Sequence, residues 1–150
     1  AAASIGIFEA TIEKVVTLAI LMPILASMGG IAGMQSLALV IRSQALDQIG
    51  SSNSRLLIYK EATIGFLNGI LWSSVVAILV YLWFDSIFLG FVIASALMIN
   101  LVIGAISGVS LPLVLSKLNI DPALAGGVIL TTITDVVGFI SLLGIATIML

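Results

Sequence analysis

The chain has no cysteine and no histidine, and only 8% of its residues are charged. Without thiols or imidazoles there is no disulfide framework, no zinc site of the usual kind, no Cys- or His-based nucleophile and no haem ligation. A soluble domain normally carries about 25% charged residues. A chain that is 61% hydrophobic, with a mean hydropathy of +1.37, has too few polar groups to cover a surface in water. The formal net charge of −2 gives no footprint for nucleic acid and no basic membrane-surface patch. What remains is long apolar sequence, and it belongs in a bilayer.

The few charges punctuate that sequence. Lys14 and Arg42 bracket one uncharged stretch, Glu61 and Asp85 a second, Asp85 and Lys117 a third, while Pro122 to Leu150 carries the single charge Asp135. A hydrocarbon core of ~30 Å takes ~20 apolar residues per helical span. The pattern predicts four complete spans over 15–41, 62–84, 87–115 and 122–149. Helices rather than barrel strands are expected, because these runs lack alternation. The fold class is therefore all-α and integral to the membrane, one polytopic helix-bundle domain over 1–150, with 1–8 read as the tail of a truncated fifth span. No basic stretch precedes an apolar core at the start, so a cleavable signal peptide is not expected.

Arg42, Arg55, Lys60 and Lys117 fall in the loops 42–61 and 116–121, against Lys14 alone on the other side. The positive-inside rule puts those loops in the cytoplasm and the C-terminus outside, in a plasma (inner) membrane. Tyr81, Trp83, Phe84 and Phe88 around Asp85 form an expected aromatic belt at the outer interface. Gln44 to Ser54, with its Ser, Asn and Gly, is expected to be a flexible turn. Lys60 and Glu61 mark the start of the second span at the interface.

Asp135 is the residue that most needs a reason. Asp121 suits an N-cap and Pro122 a first helical position, which places Asp135 ~20 Å along the last helix, near the bilayer middle. A carboxylate there costs ~3 kcal/mol even on the lenient insertion scale and usually faces a bundle interior or water. Gly127, Thr131, Thr134, Gly138 and Ser141 accompany it at helical spacing, a candidate pore lining. The alternative is an Asp that hydrogen-bonds a neighbouring helix as packing glue.

In the first complete span, Pro23 is expected to interrupt the helix near residue 19, ahead of Gly29-Gly30-Ile31-Ala32-Gly33. Freed carbonyls lining a cavity would be ligands for a hard cation. Equally, Gly29 and Gly33 at four-residue spacing would form a close packing face. Gly65/Gly69 and Gly104/Gly108 repeat that spacing and are read as packing contacts. Asn68 and Asn100 are expected to bond between helices, and Pro112 to kink the third span. Glu9 and Glu13 lie together at the outer face, either attracting cations to a vestibule or simply solvated.

A two-fold dimer with the last helix at the axis would bring Asp135 from both subunits to one water-filled gap. Two carboxylates match a divalent cation. Magnesium keeps most of its water and binds through one or two carboxylates, which suits a pore of this kind.

The segments Phe8-Glu9-Ala10, Pro23, Gly29-Gly30-Ile31-Ala32-Gly33-Met34-Gln35-Ser36, Asp121-Pro122-Ala123-Leu124 and Thr134-Asp135-Val136-Val137-Gly138 resemble the membrane domain of the MgtE family of magnesium channels, over essentially the whole chain. The resemblance implies a homodimer of five spans per subunit, lacking here the front of the first span and the cytoplasmic regulatory regions. It implies a pore formed by the first and last complete spans, with Asp135 as pore carboxylate, Thr131 one turn earlier, and Asp121 at a cytoplasmic metal site involved in gating. Mg2+ would thus be both cargo and regulator. Gly127 stands where some members carry Asn, and Ile31 replaces the Asn common in the Gly-Gly-Asn motif.

The expected activity is passage of hydrated divalent cations, Mg2+ first, through a homodimeric channel in the lipid bilayer, without enzymatic chemistry. The alternatives are a proton-coupled carrier in which Asp135 alternates between proton and cation, an intramembrane aspartyl hydrolase, and a non-conducting scaffold subunit.

Overall fold

The computed structural model describes residues 1–47 and 53–150. Among the described residues the elements are α1 (Ala2–Ile7), α2 (Glu9–Lys14), α3 (Thr17–Ala45), α4 (Ser54–Phe84), α5 (Ile87–Lys117) and α6 (Pro122–Met149). The last four have 29, 31, 31 and 28 residues. At ~1.5 Å per residue each runs roughly 42–46 Å, longer than a ~30 Å hydrocarbon core. All four are long and apolar enough to cross a membrane. The protein is an all-α, multi-pass membrane protein.

The boundaries have local causes. Asp121 caps α6 by accepting a 2.9 Å bond from the Ala123 N–H, with Pro122 in the first turn. At the other end of the bundle, Asp85 closes α4 in a left-handed conformation, φ 48°, and Ser86 caps α5 by accepting from the Leu89 N–H. That gives a two-residue turn between α4 and α5. Asn119 takes the left-handed position between α5 and α6, at φ 56°. The turn expected over Gln44 to Ser54 is shorter than that at both ends, because α3 runs to Ala45 and α4 begins at Ser54; residues 48–52 lie outside the described ones.

Pro23 does not interrupt α3, which is continuous from Thr17 to Ala45. It sits in the second turn, where the one missing N–H leaves the Ala19 carbonyl unpaired in the helix without touching the later ladder. Pro112 likewise lies within a helix that continues to Lys117.

α5 is the centre of the bundle. α3, α4 and α6 all pack on it, and α3 also packs on α6. The glycine pairs explain the closeness. A Cβ on Gly33 would lie 2.9 Å from the Gly104 carbonyl oxygen, and one on Gly104 would lie 2.9 Å from that of Gly29. A Cβ on Gly108 would press on the Gly33 carbonyl. The two four-residue pairs interlock, which lets the α3 and α5 backbones touch. Gly65 and Gly69 give α4 the same closeness to α5, against Ala105 and Met98. The outward side of α4 carries Phe66, Leu67, Ile78, Leu82 and Trp83, all exposed, as a lipid-facing surface requires. Trp83 stacks on Phe84 with ring centroids 6.3 Å apart. Asn68 shares that exposed side and makes no hydrogen bond with the described residues, contrary to its expected interhelical role.

Candidate functional site

Asp135 lies halfway along α6 and is half-buried; it accepts no hydrogen bond from the described residues. Gly127, Thr131 and Asp135 fall at successive four-residue steps, so they share one ridge of α6. Thr131 is exposed and donates its hydroxyl proton to the carbonyls of Gly127 and Val128, both at 3.1 Å. Its oxygen lone pairs remain free, and a lone pair is what a cation or its hydration water seeks.

α3 supplies the other wall. Ala26, Ser27, Gly30, Ile31, Met34, Gln35 and Ala38 line an open groove of about 520 Å³ with Thr131. A Cβ on Gly30 would reach Thr131 and Thr134 only at 3.9 Å, and one on Gly127 would meet the Met34 Cε at 3.4 Å. Gly30 and Gly127 therefore keep this seam narrow but not sealed. Met34, unbranched and flexible, is the side chain laid over it.

The polar stripe of α6 divides into two ridges. Thr134 and Gly138 lie about 60° round the helix from Thr131 and Asp135, as a three-residue step requires. Both are buried inside the subunit rather than lining the groove. Thr134 is 0% exposed and bonds its own helix at the Leu130 and Thr131 carbonyls. A Cβ on Gly138 would collide with Asn100 at 2.9 Å. Gly29 and Gly33 are closed onto α5 in the same way, leaving Gly30 as the glycine of that run beside the open seam.

Asn100 is the reason for two of those glycines. It is 0% exposed and fills the notch between Gly29 and Gly138, donating its Nδ2 to the Leu25 carbonyl at 2.8 Å. Its Oδ1 has no hydrogen-bond partner among the described residues. The nitrogen must face Leu25, since the carbonyl there can only accept. Asn100 thus bonds between helices as expected and ties α3 to α5.

Asp121 is exposed at the start of α6, and Glu9 and Glu13 are exposed near its far end, where Thr11 and Thr147 share a 2.7 Å hydroxyl hydrogen bond. With Ala2, Ile5, Gly6, Ile12 and Val16, the two glutamates border a hollow of about 500 Å³. Asp121, Asp135 and the Glu9–Glu13 pair are therefore spread along the length of α6 and do not converge. Among the described residues no three acidic side chains gather as a metal cluster.

The matching family model is that of MgtE, a divalent cation transporter, over residues 22–145. The chain belongs to the MgtE family. It is 38% identical over 143 residues to the magnesium transporter MgtE of Bacillus subtilis, 95% of this chain and 32% of that protein. It is 30% identical over 146 residues to the magnesium transporter MgtE of Enterococcus faecalis, covering 97% of this chain and 32% of that one. With the Thermus thermophilus magnesium transporter MgtE it shares 32% identity over 143 residues, again 95% and 32% of the two lengths. The chain spans about a third of the length of these relatives.

The reading of Glu61 as an interfacial marker did not include its packing: it is 5% exposed and accepts a 2.7 Å hydrogen bond from the Ser36 hydroxyl of α3. The signal was its register: Glu61, Gly65, Gly69 and Ser73 recur every four residues along the buried ridge of α4.

Proposed function

We propose that this chain is the conducting domain of a magnesium transporter, passing hydrated divalent cations across the plasma membrane as a homodimer without enzymatic chemistry. The observation that carries the reading is Asp135: a carboxylate at mid-helix, half-buried, free of hydrogen bonds from the described residues, and on one ridge with Thr131 and Gly127. A group that costs ~3 kcal/mol at this depth needs a charged or aqueous partner. Among the described residues of one subunit no three acidic side chains gather to hold a metal ion. A second copy related by a two-fold axis offers its own Asp135.

In such a dimer the α3–α6 grooves form the ion path. Asp135 supplies charge, Thr131 lone pairs, and the glycine positions Gly127 and Gly30 room for a cation that keeps its water. Gly29, Gly33, Thr134 and Gly138 act one layer behind, seating both helices on α5 and Asn100. The end of α3, the start of α4 and the α5–α6 connection face the cytoplasm, where Asp121 is a second, regulatory Mg2+ contact. Glu9 and Glu13 flank the outer mouth and raise the local cation concentration.

The test is Asp135→Asn, which preserves shape and removes charge. Mg2+ uptake should fall at least about tenfold, the worth of one lost charge interaction of ~1.4 kcal/mol, while helix content and dimer persist. Normal uptake by this variant sinks the proposal. Flux that reverses with voltage and needs no proton gradient identifies a channel; strict proton coupling identifies a carrier.

A further inference from the structure

We infer that Glu61 is a positioning residue for ion passage, holding α3 in register through Ser36. The inference rests on the α3–α6 groove being the ion path. α3 and α4 pack little on each other, since each is seated on α5. The bond from the Ser36 hydroxyl to Glu61 Oε2 crosses directly between them, and both side chains are 5% exposed. Ser36 is also pressed from the third side, because a Cβ on Gly108 would lie 2.8 Å from the Ser36 Cβ. A carboxylate on this ridge is far costlier than the Val and Gly around it unless it is hydrogen-bonded. The hydroxyl supplies that bond from the helix that needs holding.

The register matters because successive helical residues lie about 100° apart. Pinning Ser36 toward α4 and α5 turns Met34 to roughly the opposite side and Gln35 partway round, and both line the groove. Met34 is the side chain over Gly127. A small rotation of α3 about its axis would move Met34 off Gly127 and change the α3–α6 contact at the seam, with no change in Asp135 or Thr131. Glu61 acts through Ser36 and does not touch the groove.

The experiment measures Mg2+ uptake by cells lacking their own magnesium transporters and expressing the full chain, normalised to folded dimer from size-exclusion chromatography. Glu61→Leu and Ser36→Ala should each lower the maximal rate by about tenfold, the value of one charge-assisted hydrogen bond, with the half-saturating Mg2+ concentration unchanged. Glu61→Gln, whose amide oxygen accepts the same bond, should recover uptake to within about twofold of wild type. The double variant should be no worse than Glu61→Leu alone, since both remove one interaction. The inference is overturned if Glu61→Leu transports at the wild-type maximal rate. It is also overturned if Glu61→Gln falls as far as Glu61→Leu with a raised half-saturating concentration, which would mean the charge acts on the ion. Losses that follow folded protein in every variant, with uptake per folded dimer unchanged, overturn it too; Ser36→Ala, which removes one oxygen, guards against simple misfolding. Asp135→Asn is measured in parallel. A normal Asp135→Asn removes the ion-path reading, whereas a dead Asp135→Asn with a normal Glu61→Leu removes this inference alone.

Discussion

Gly29 and Gly30 are neighbours in sequence and opposites in surroundings. A side chain on Gly29 would run into the Asn100 amide, whereas one on Gly30 would find only Thr131 and Thr134, each 3.9 Å away. One residue of rotation separates a side of α3 that is welded to α5 from a side that faces an open groove. The welded side is built from backbone-to-backbone contact: Gly33 on Gly104, Gly108 on Gly33, and the buried Asn100 between Gly29 and Gly138. Across from the open side, on α6, stand Gly127, Thr131 and Asp135, which make no hydrogen bond to another helix among the described residues. In lipid, where apolar surface gives helices no reason to associate, close packing must hold the bundle. A bundle held that firmly from behind can leave a seam open in front.

The strongest way to break this contrast is to attack the welded side at its closest point. Gly108→Ala places a methyl against the Gly33 carbonyl and 2.8 Å from the Ser36 Cβ. Backbone cannot yield as a side-chain tip can, so a cost of about 1–3 kcal/mol is expected. The check is a lower melting temperature in detergent and less folded protein. An unchanged melting curve would mean that the α3–α5 contact is not what holds the bundle.

Gly29→Ala is expected to cost somewhat less, near 1–2 kcal/mol, because the obstacle is a side chain, Asn100, 2.7 Å away at its Cγ. The comparison sharpens in a double variant. With Asn100→Ala the notch is empty, so adding Gly29→Ala should cost less than it does in the wild type, giving an interaction energy of about 0.5 kcal/mol or more in a thermal-stability cycle. Strict additivity would show that Asn100 is not the obstacle.

The outline of this division was legible in the sequence, and its fine register was not. Charge spacing located all four spans, Asp121-Pro122 fixed the start of α6, and the paired glycines at four-residue spacing announced close packing. Thr134 and Gly138 were harder to place, because a stripe read at mixed three- and four-residue steps merges two ridges about 60° apart. Only a neighbour decides which ridge is covered, and that neighbour, Asn100, is distant in the chain. Glu61 was missed for the opposite reason. Its charge and its place beside Lys60 suggested an interface, while its four-residue register with Gly65 and Gly69 pointed into the bundle. Charge speaks to depth and register to facing, and it is the facing that the Ser36 hydroxyl meets.

The smallest expected effect on stability falls at Gly30, and there the two sides of α3 part most clearly. Alanine is a better helix former than glycine by about 0.5–1 kcal/mol, and a Cβ at Gly30 meets only ordinary van der Waals neighbours. Gly30→Ala should therefore melt no lower than the wild type and as much as a few degrees higher. Its methyl would nevertheless stand in the seam beside Thr131, where a hydrated ion needs the room. Mg2+ uptake per folded dimer should drop about two- to threefold, the effect of a few tenths of a kcal/mol on passage. A variant that gains stability and loses flux places Gly30 on the conducting side. One that loses stability as Gly29→Ala does, with flux per folded dimer intact, would put both glycines in the weld and take Gly30 out of the conducting side.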